Sequence, residues 1–444
     1  MKFTKIIIGA LVVSTSYVGG AQAGLPSHLT PAGAEKAGNK DGTIPAWTGG
    51  YTGRPAGFVK GMGNLPDPFA SDKVLFSITG KNMDKYADKL SDGQKALLKK
   101  YPNFRMDVYQ TRRSAAYTQS FEENTEKNMT RCRTTDGGIS LDTSKGCGHG
   151  IPFPVPKNGY EVMWNHFARP ALPAMIYKVG GYFVKPSGEV VQTQSTFMYR
   201  EYGIYNPSKK NPDQYWMYRG EYIGPARING QTSIITDYVD SKIGRRAYSY
   251  QPASRRVRLS PDAAADTPIS QVAGVYTYDD ADMFSGLMDR FDFKLVGKKE
   301  MYIPYNTYKL CLTKKEQQLR AGFANPDVMR WELHRVWVVE ARLKPGKRHI
   351  YSKRMIYLDE DAWFGGVMDD YDSKGKLFMS EIVPLMPNYD VKAPAVDVQQ
   401  FHNLVTGIFY TQVPEFGYKP VRFLPPGKLT QDSMTSFILK ENMK

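Results

Sequence analysis

Residues 331–358 read WELHRVWVVEARLKPGKRHIYSKRMIYL, and their grammar decides the fold. Trp331, Leu333, Trp337, Val339, Ala341 and Leu343 fall on one face of an extended chain, interrupted by Arg335. Glu332, His334, Glu340 and Arg342 fall on the other, interrupted by Val336 and Val338. That period of two predicts a β-strand. Lys344-Pro345-Gly346-Lys347 supplies the turn, and Arg348 to Leu358 the returning strand.

The same pattern extends in both directions. Phe364–Asp369 and Lys376–Val383 form a further predicted hairpin, and strands are expected at 231–239, 246–251, 255–260, 290–297 and 302–311. Ala174–Val179 and Tyr182–Lys185 flank Gly180-Gly181, a hairpin signal, and Val190–Arg200 continues the run. Helical readings cluster earlier: 80–90 after Thr79, a second helix capped by Ser91, 115–129, and Tyr160–Phe167. Helices do not alternate with the strands, which disfavours a doubly wound α/β fold. The prediction is a β-rich α+β fold: one large, curved antiparallel sheet, an incomplete barrel, with helices over its concave face.

The N-terminus reads as a leader for export. Lys2 and Lys5 precede the apolar run Ile6–Val13, and Ala21-Gln22-Ala23 ends a segment 1–23 with a small-x-small cleavage signal. No Cys follows it, so no lipid anchor is expected, and the mature chain is expected to be soluble in the periplasm. Removing Lys2 and Lys5 lowers the formal net charge from +15 to +13. Such charge suits anionic lipid heads or transient membrane-surface contact. Export and the lack of a compact aromatic-basic motif argue against nucleic acid. The domain reading is a leader at 1–23, an irregular strap at 24–68 whose Trp47, Tyr51 and Phe58 imply packing on the body, and one large domain over 69–444 ending in a short helix at 433–439.

Cys132 and Cys147 flank a Gly/Thr/Ser-rich loop and are expected to pair, whereas Cys311 reads as a buried thiol in an apolar strand. No catalytic, cofactor or metal site is expected. The histidines at 28, 149, 166, 334, 349 and 402 show no HExxH or HxH spacing. Asp370, Asp372, Gly375 and Glu381 fall at calcium-loop positions, but Lys374 stands where an oxygen ligand belongs, so a plain hairpin turn is preferred. Asp279-Asp280 and Asp359-Glu360-Asp361 read as solvated turns. Basic patches are expected at Arg255-Arg256-Val257-Arg258, at Lys298-Lys299, and over Lys344, Lys347, Arg348, Lys353 and Arg354. There is no GxGxxG, P-loop or GxSxG stretch.

Several segments resemble a bacterial family of unknown function, number 1329, whose members are described as outer-membrane lipoprotein-sorting-like. They are NKDGTIPAWTGG at 39–50, GIPFPVPKNGYEVMWNH at 150–166, QPASRRVRLSPD at 251–262, FKLVGKKEMYIPYN at 293–306 and HRVWVVEARLKPGKRHIYSKRMIYLDED at 334–361. The resemblance implies the incomplete barrel of periplasmic lipoprotein carriers and their receptors. It also implies resistance-nodulation-division type exporters or other envelope proteins as partners.

The expected function is binding and transfer of a lipid, lipoprotein or other hydrophobic molecule, without enzymatic activity. The alternatives are an accessory subunit of an envelope export complex and a periplasmic enzyme. The expected cavity wall comprises Phe291, Phe293, Leu295, Met301, Ile303, Tyr305, Trp331, Leu333, Trp337, Val339, Met355 and Tyr357. Met175, Tyr177, Met198, Tyr199, Met283 and Met288 are further wall candidates; Met198 and Tyr199 are adjacent, so only one of them can face a cavity.

Overall fold

A computed structural model describes residues 24–61, 65–394, 398–414 and 422–423. The expected leader at 1–23 and terminal helix at 433–439 lie outside the described residues. One large sheet dominates. In chain order its main strands are β1 (Ala174–Val184), β2 (Val190–Glu201), β3 (Gln214–Gly224), β4 (Thr232–Tyr238), β5 (Arg246–Gln251) and β6 (Arg256–Leu259). The second half holds β7 (Phe291–Pro304), β8 (Trp331–Leu343), β9 (Tyr351–Asp359), β10 (Gly366–Asp372), β11 (Leu377–Val383), β12 (Gln400–Asn403) and β13 (Phe409–Pro414).

Within each half, neighbours in sequence are neighbours in space. β7 to β13 pair successively and antiparallel, and so do β1 to β6. β13 pairs with β12 on one side and β1 on the other, joining the halves. Among the described residues no ladder joins β6 to β7, so the barrel stays open.

The glycine pair at 180–181 does not turn. It runs through the middle of β1 with Gly181 opposite Gln194 on β2 and Gln412 on β13. Both flanking strands are present, so the backbone stays extended. A Cβ at Gly181 would lie 2.4 Å from the Tyr410 hydroxyl, so the residue serves close approach. The turn falls later, at Lys185–Glu189, with Gly188 at φ +89°.

The strands expected at 290–297 and 302–311 are one strand, β7, with an extra residue at Val296: Leu295 faces Val339 and Gly297 faces Val338. β7 ends at Pro304, which has no N–H to donate, and Asn306 turns the chain at φ +54°. Cys311 therefore lies in a one-turn helix, Tyr308–Leu312, instead of a strand; it is buried, and burial pushes its thiol up to about 12.

The helices are set by their caps. α1 (Asp92–Lys100) starts in a capping box of Ser91 and Gln94, α2 (Gln119–Arg131) at Thr118, and α3 (Gly159–Phe167) at Asn158. The expected helix at 80–90 is a 3-10 turn, Met83–Lys89, preceded by Asn82 in place of Thr79. α2 runs into Cys132, which is bonded to Cys147. α3 covers the concave face, where Tyr160 packs edge-on against Phe293 of β7. α1 docks on the reverse face: Asp369 accepts from the Gly93 N–H at 2.8 Å, while its neighbour Asp370 points inward to Arg354 at 2.8 Å. The N-terminal stretch lies across the body, with the Trp47 indole donating to the Ala115 carbonyl and the Ala32 carbonyl accepting from Trp363.

Candidate functional site

The residues expected to line one cavity do not share a face. The extra residue at Val296 changes parity along β7. Phe291, Phe293 and Leu295 pair with Leu343, Ala341 and Val339, on the face of Trp331, Leu333 and Trp337. Met301 and Ile303 pair with His334 and Glu332, on the opposite face, together with Met355 and Tyr357, which pair with Glu340 and Val338. Tyr305 lies beyond the strand and stacks on the His334 ring at 4.0 Å. Most of these side chains are buried in two packed hydrophobic clusters, with Leu295 and Met355 half-buried against them. They form core, and none of them lines the cleft described below.

The concave interior is filled by residues 261–289, and acids hold that segment in place. Arg354, expected on a basic surface, is fully buried. Its guanidinium binds Asp370 at 2.8 Å, Asp279 at 3.2 Å, and Asp280. Asp279 also takes the His349 ring at 2.8 Å. Burial opposes ionisation, yet Arg354 and His349 hold the Asp279 carboxyl well below the usual range. Asp370 is pushed up to about 7 by burial, Arg354 notwithstanding. Glu381 is also buried; both its oxygens lack a hydrogen-bond partner among the described residues, and burial drives its carboxyl well above the usual range. Deeper along the segment, Asp282 bridges Arg200 at 2.7 Å and Arg169 at 3.1 Å, and despite burial these arginines hold it at about 2. Asp282 and Met283 both sit at positive φ, +60° and +68°, a strained pair that the ion pairs keep in place.

The turns expected to be solvated are thus structural. Asp359, Glu360 and Asp361 are buried like Asp279 and Asp280. Asp361 takes Arg113 from both oxygens, and Glu360 binds Lys298 at 2.9 Å, so that lysine also leaves the expected basic patch. His334 lies between Glu332 at 3.1 Å and Asp359 at 3.3 Å; burial opposes its charge, but the two acids raise it to about 9. His334, Asp359 and Asp361 could converge on a cation, although Arg113 already occupies Asp361. The stretch at 370–375 is a hairpin turn in which the Lys374 and Lys376 N–H groups donate to Asp372.

An opening lies at the other end of the concave face. A groove of about 300 Å³ runs between the inner faces of β4 to β6 and the chain at 260–271, walled by Ser233, Ile235, Ala247, Ser249, Pro268 and Tyr278. It shares Ser233, Ile235, Gln271 and Tyr278 with a smaller inner cavity of about 60 Å³. Met198, Trp216, Tyr218, Tyr222, Val272 and Tyr276 line that inner end, mostly with apolar surface. Met198 faces it and Tyr199 does not; Met175, Tyr177, Met283 and Met288 are core. The sequence did carry a signal for this wall. Trp216, Tyr218 and Tyr222 recur at even spacing along β3, as do Tyr276 and Tyr278 farther on. The longer run at 331–343 outweighs them on hydrophobicity alone.

Residues 77–436 match the model of a family described as protein of unknown function, DUF1329. The chain belongs to the DUF1329 family. It is 38% identical over 430 residues to the uncharacterized protein PA3922 of Pseudomonas aeruginosa, covering 92% of each chain. Among solved structures, a domain named for outer membrane lipoprotein sorting, from Vibrio parahaemolyticus, aligns with TM-score 0.44 and 15% identity over 64% of this chain and 98% of its own. A DUF1329 protein from Desulfovibrio piger gives TM-score 0.39 at 14% identity, over 59% of this chain and 88% of its own. A LolA superfamily protein from Nitrosomonas europaea gives 0.37 at 10%, over 62% and 99%. The Cys132–Cys147 bond is closed, which suits the oxidising periplasm expected from the leader-like N-terminus. No helix among the described residues is long and apolar enough to cross a membrane.

Proposed function

We propose that this chain binds and transfers an amphipathic or hydrophobic small molecule of the lipid type, without catalysing a reaction. The observation that carries this is the joined groove and aromatic cavity. A groove of about 300 Å³ lies at the lower limit of small-molecule sites, and its apolar inner end offers burial worth about 25 cal/mol per Å². The inner cavity alone, about 60 Å³, is too small for an acyl chain, so cargo enters by displacing part of the chain at 260–285. The walls of groove and cavity carry neither histidine nor cysteine, and the reading needs no covalent step. Exporter or envelope partners, implied by the family resemblance, enter only as donor or acceptor of the cargo.

The test is mass spectrometry of small molecules extracted from natively purified protein, beside a variant with a filled cavity. Wild type is expected to release a reproducible hydrophobic species. Ala281→Phe, at the cavity wall, is expected to lose most of it while keeping a cooperative thermal transition. Wild-type protein that is empty after gentle purification, and that takes up no added amphiphile, would sink the carrier reading.

A further inference from the structure

The mouth of the groove carries charge that the binding reading leaves unused. Among the described residues β6 is the outermost strand of its half and pairs with β5 alone. Its Arg256 and Arg258 stand opposite Gln251 and Ser249, and Ser249 stands opposite Ser233. Ser233, Ser249 and Gln251 are groove walls, so strand alternation puts both guanidinium-bearing positions on the groove side of the sheet. Arg258 itself lines the groove, and both residues are exposed. Arg255 adjoins them in the turn at φ +51°. Among the described residues no carboxylate pairs with any of these three, in contrast to Arg245 and Arg290, which bind Asp237 and Asp266 at 2.7 Å. One carboxylate, Asp262, also lines the groove, and it pairs with none of them.

We propose that the groove selects an amphiphile with a single anionic head, carboxylate or phosphate, held by Arg256 and Arg258, with its tail directed to the Trp216–Tyr276 cavity. The proposal rests on the binding reading above. Guanidinium forks match carboxylate and phosphate oxygens in pairs, and adjacent unneutralised cations repel until an anion sits between them. Inward-facing charges on an edge strand also guard against sheet-to-sheet aggregation. That role alone predicts no preference among ligands.

Calorimetric titration of the mature full chain with decanoate, decyl phosphate, decanol and inorganic phosphate separates these outcomes. Wild type is expected to bind both anionic amphiphiles about tenfold or more tighter than decanol, as charge-assisted pairing requires. Arg256→Gln with Arg258→Gln should abolish that preference, bringing the anionic amphiphiles to the affinity of decanol; the double Lys variant should restore part of it. Decanol bound as tightly as the anions would overturn the head assignment and leave the groove reading intact. Inorganic phosphate bound as tightly as decyl phosphate would overturn the amphiphile. A Gln variant that aggregates more readily but keeps its ligand preference would assign the arginines to edge protection and overturn the proposal. Failure of every amphiphile to bind would overturn both readings.

Discussion

Arg354 shows what one residue does in this interior. It is the common partner of Asp279 and Asp280 on the interior segment and of Asp370 on β10. Arg354→Met leaves buried acids without their cation, and its expected cost is about 3–5 kcal/mol of unfolding free energy, measured by urea titration. His334 sets the alkaline limb of stability. Its folded value, about 9, lies above its ordinary value of 6.5, so its contribution is complete below pH 6.5 and is lost as pH rises through 9. His166 and His402 act in the other direction: burial lowers both to about 4, so their contribution is present above pH 6.5 and is lost as pH falls through 4. Thermal scans across pH should show His334→Gln flattening the alkaline decline and leaving the acid limb in place. None of this was legible in the sequence, because Asp-Asp and Asp-Glu-Asp look alike in a solvated turn and in a buried clasp. The difference is made by arginines distant in the chain, Arg113 and Arg354 above all.

Elements were more legible than their partners. The strand at 331–343, the capping box at Ser91, the helix at 159–167 and the 132–147 loop are encoded by residues close together in sequence. Gly180-Gly181 and the Val296 bulge are not, since each depends on which strand lies alongside. Deleting Val296 would give β7 unbroken alternation, turning either its aromatic half or its Met301–Ile303 half to the wrong face. The expected result is loss of near-UV circular dichroism and of protease resistance. A variant that keeps both would show that the bulge does not set the register. Replacing Cys132 and Cys147 by serine is expected to lower stability by about 3 kcal/mol, since the bond closes a 15-residue separation. Chemical denaturation with matched slopes would read that change.

At the scale of the molecule, the open sheet was legible and the groove with its inner cavity was not. Hydrophobic rows reveal where core forms, but a cavity is space that packing leaves over, and here it lies under Tyr276 and Tyr278 instead of beside the richest strand. The order of the strands carries a further consequence. β13, residues 409–414, is the seam between β12 and β1, so the two halves cannot be joined until this strand, which follows both of them in the chain, has been delivered. A chain emerging amino end first would hold β1 to β6 and β7 to β12 as two separate half-sheets, each with an unpaired border. Until β13 docks, each of those borders is a template for wrong pairing, which slows folding and invites association.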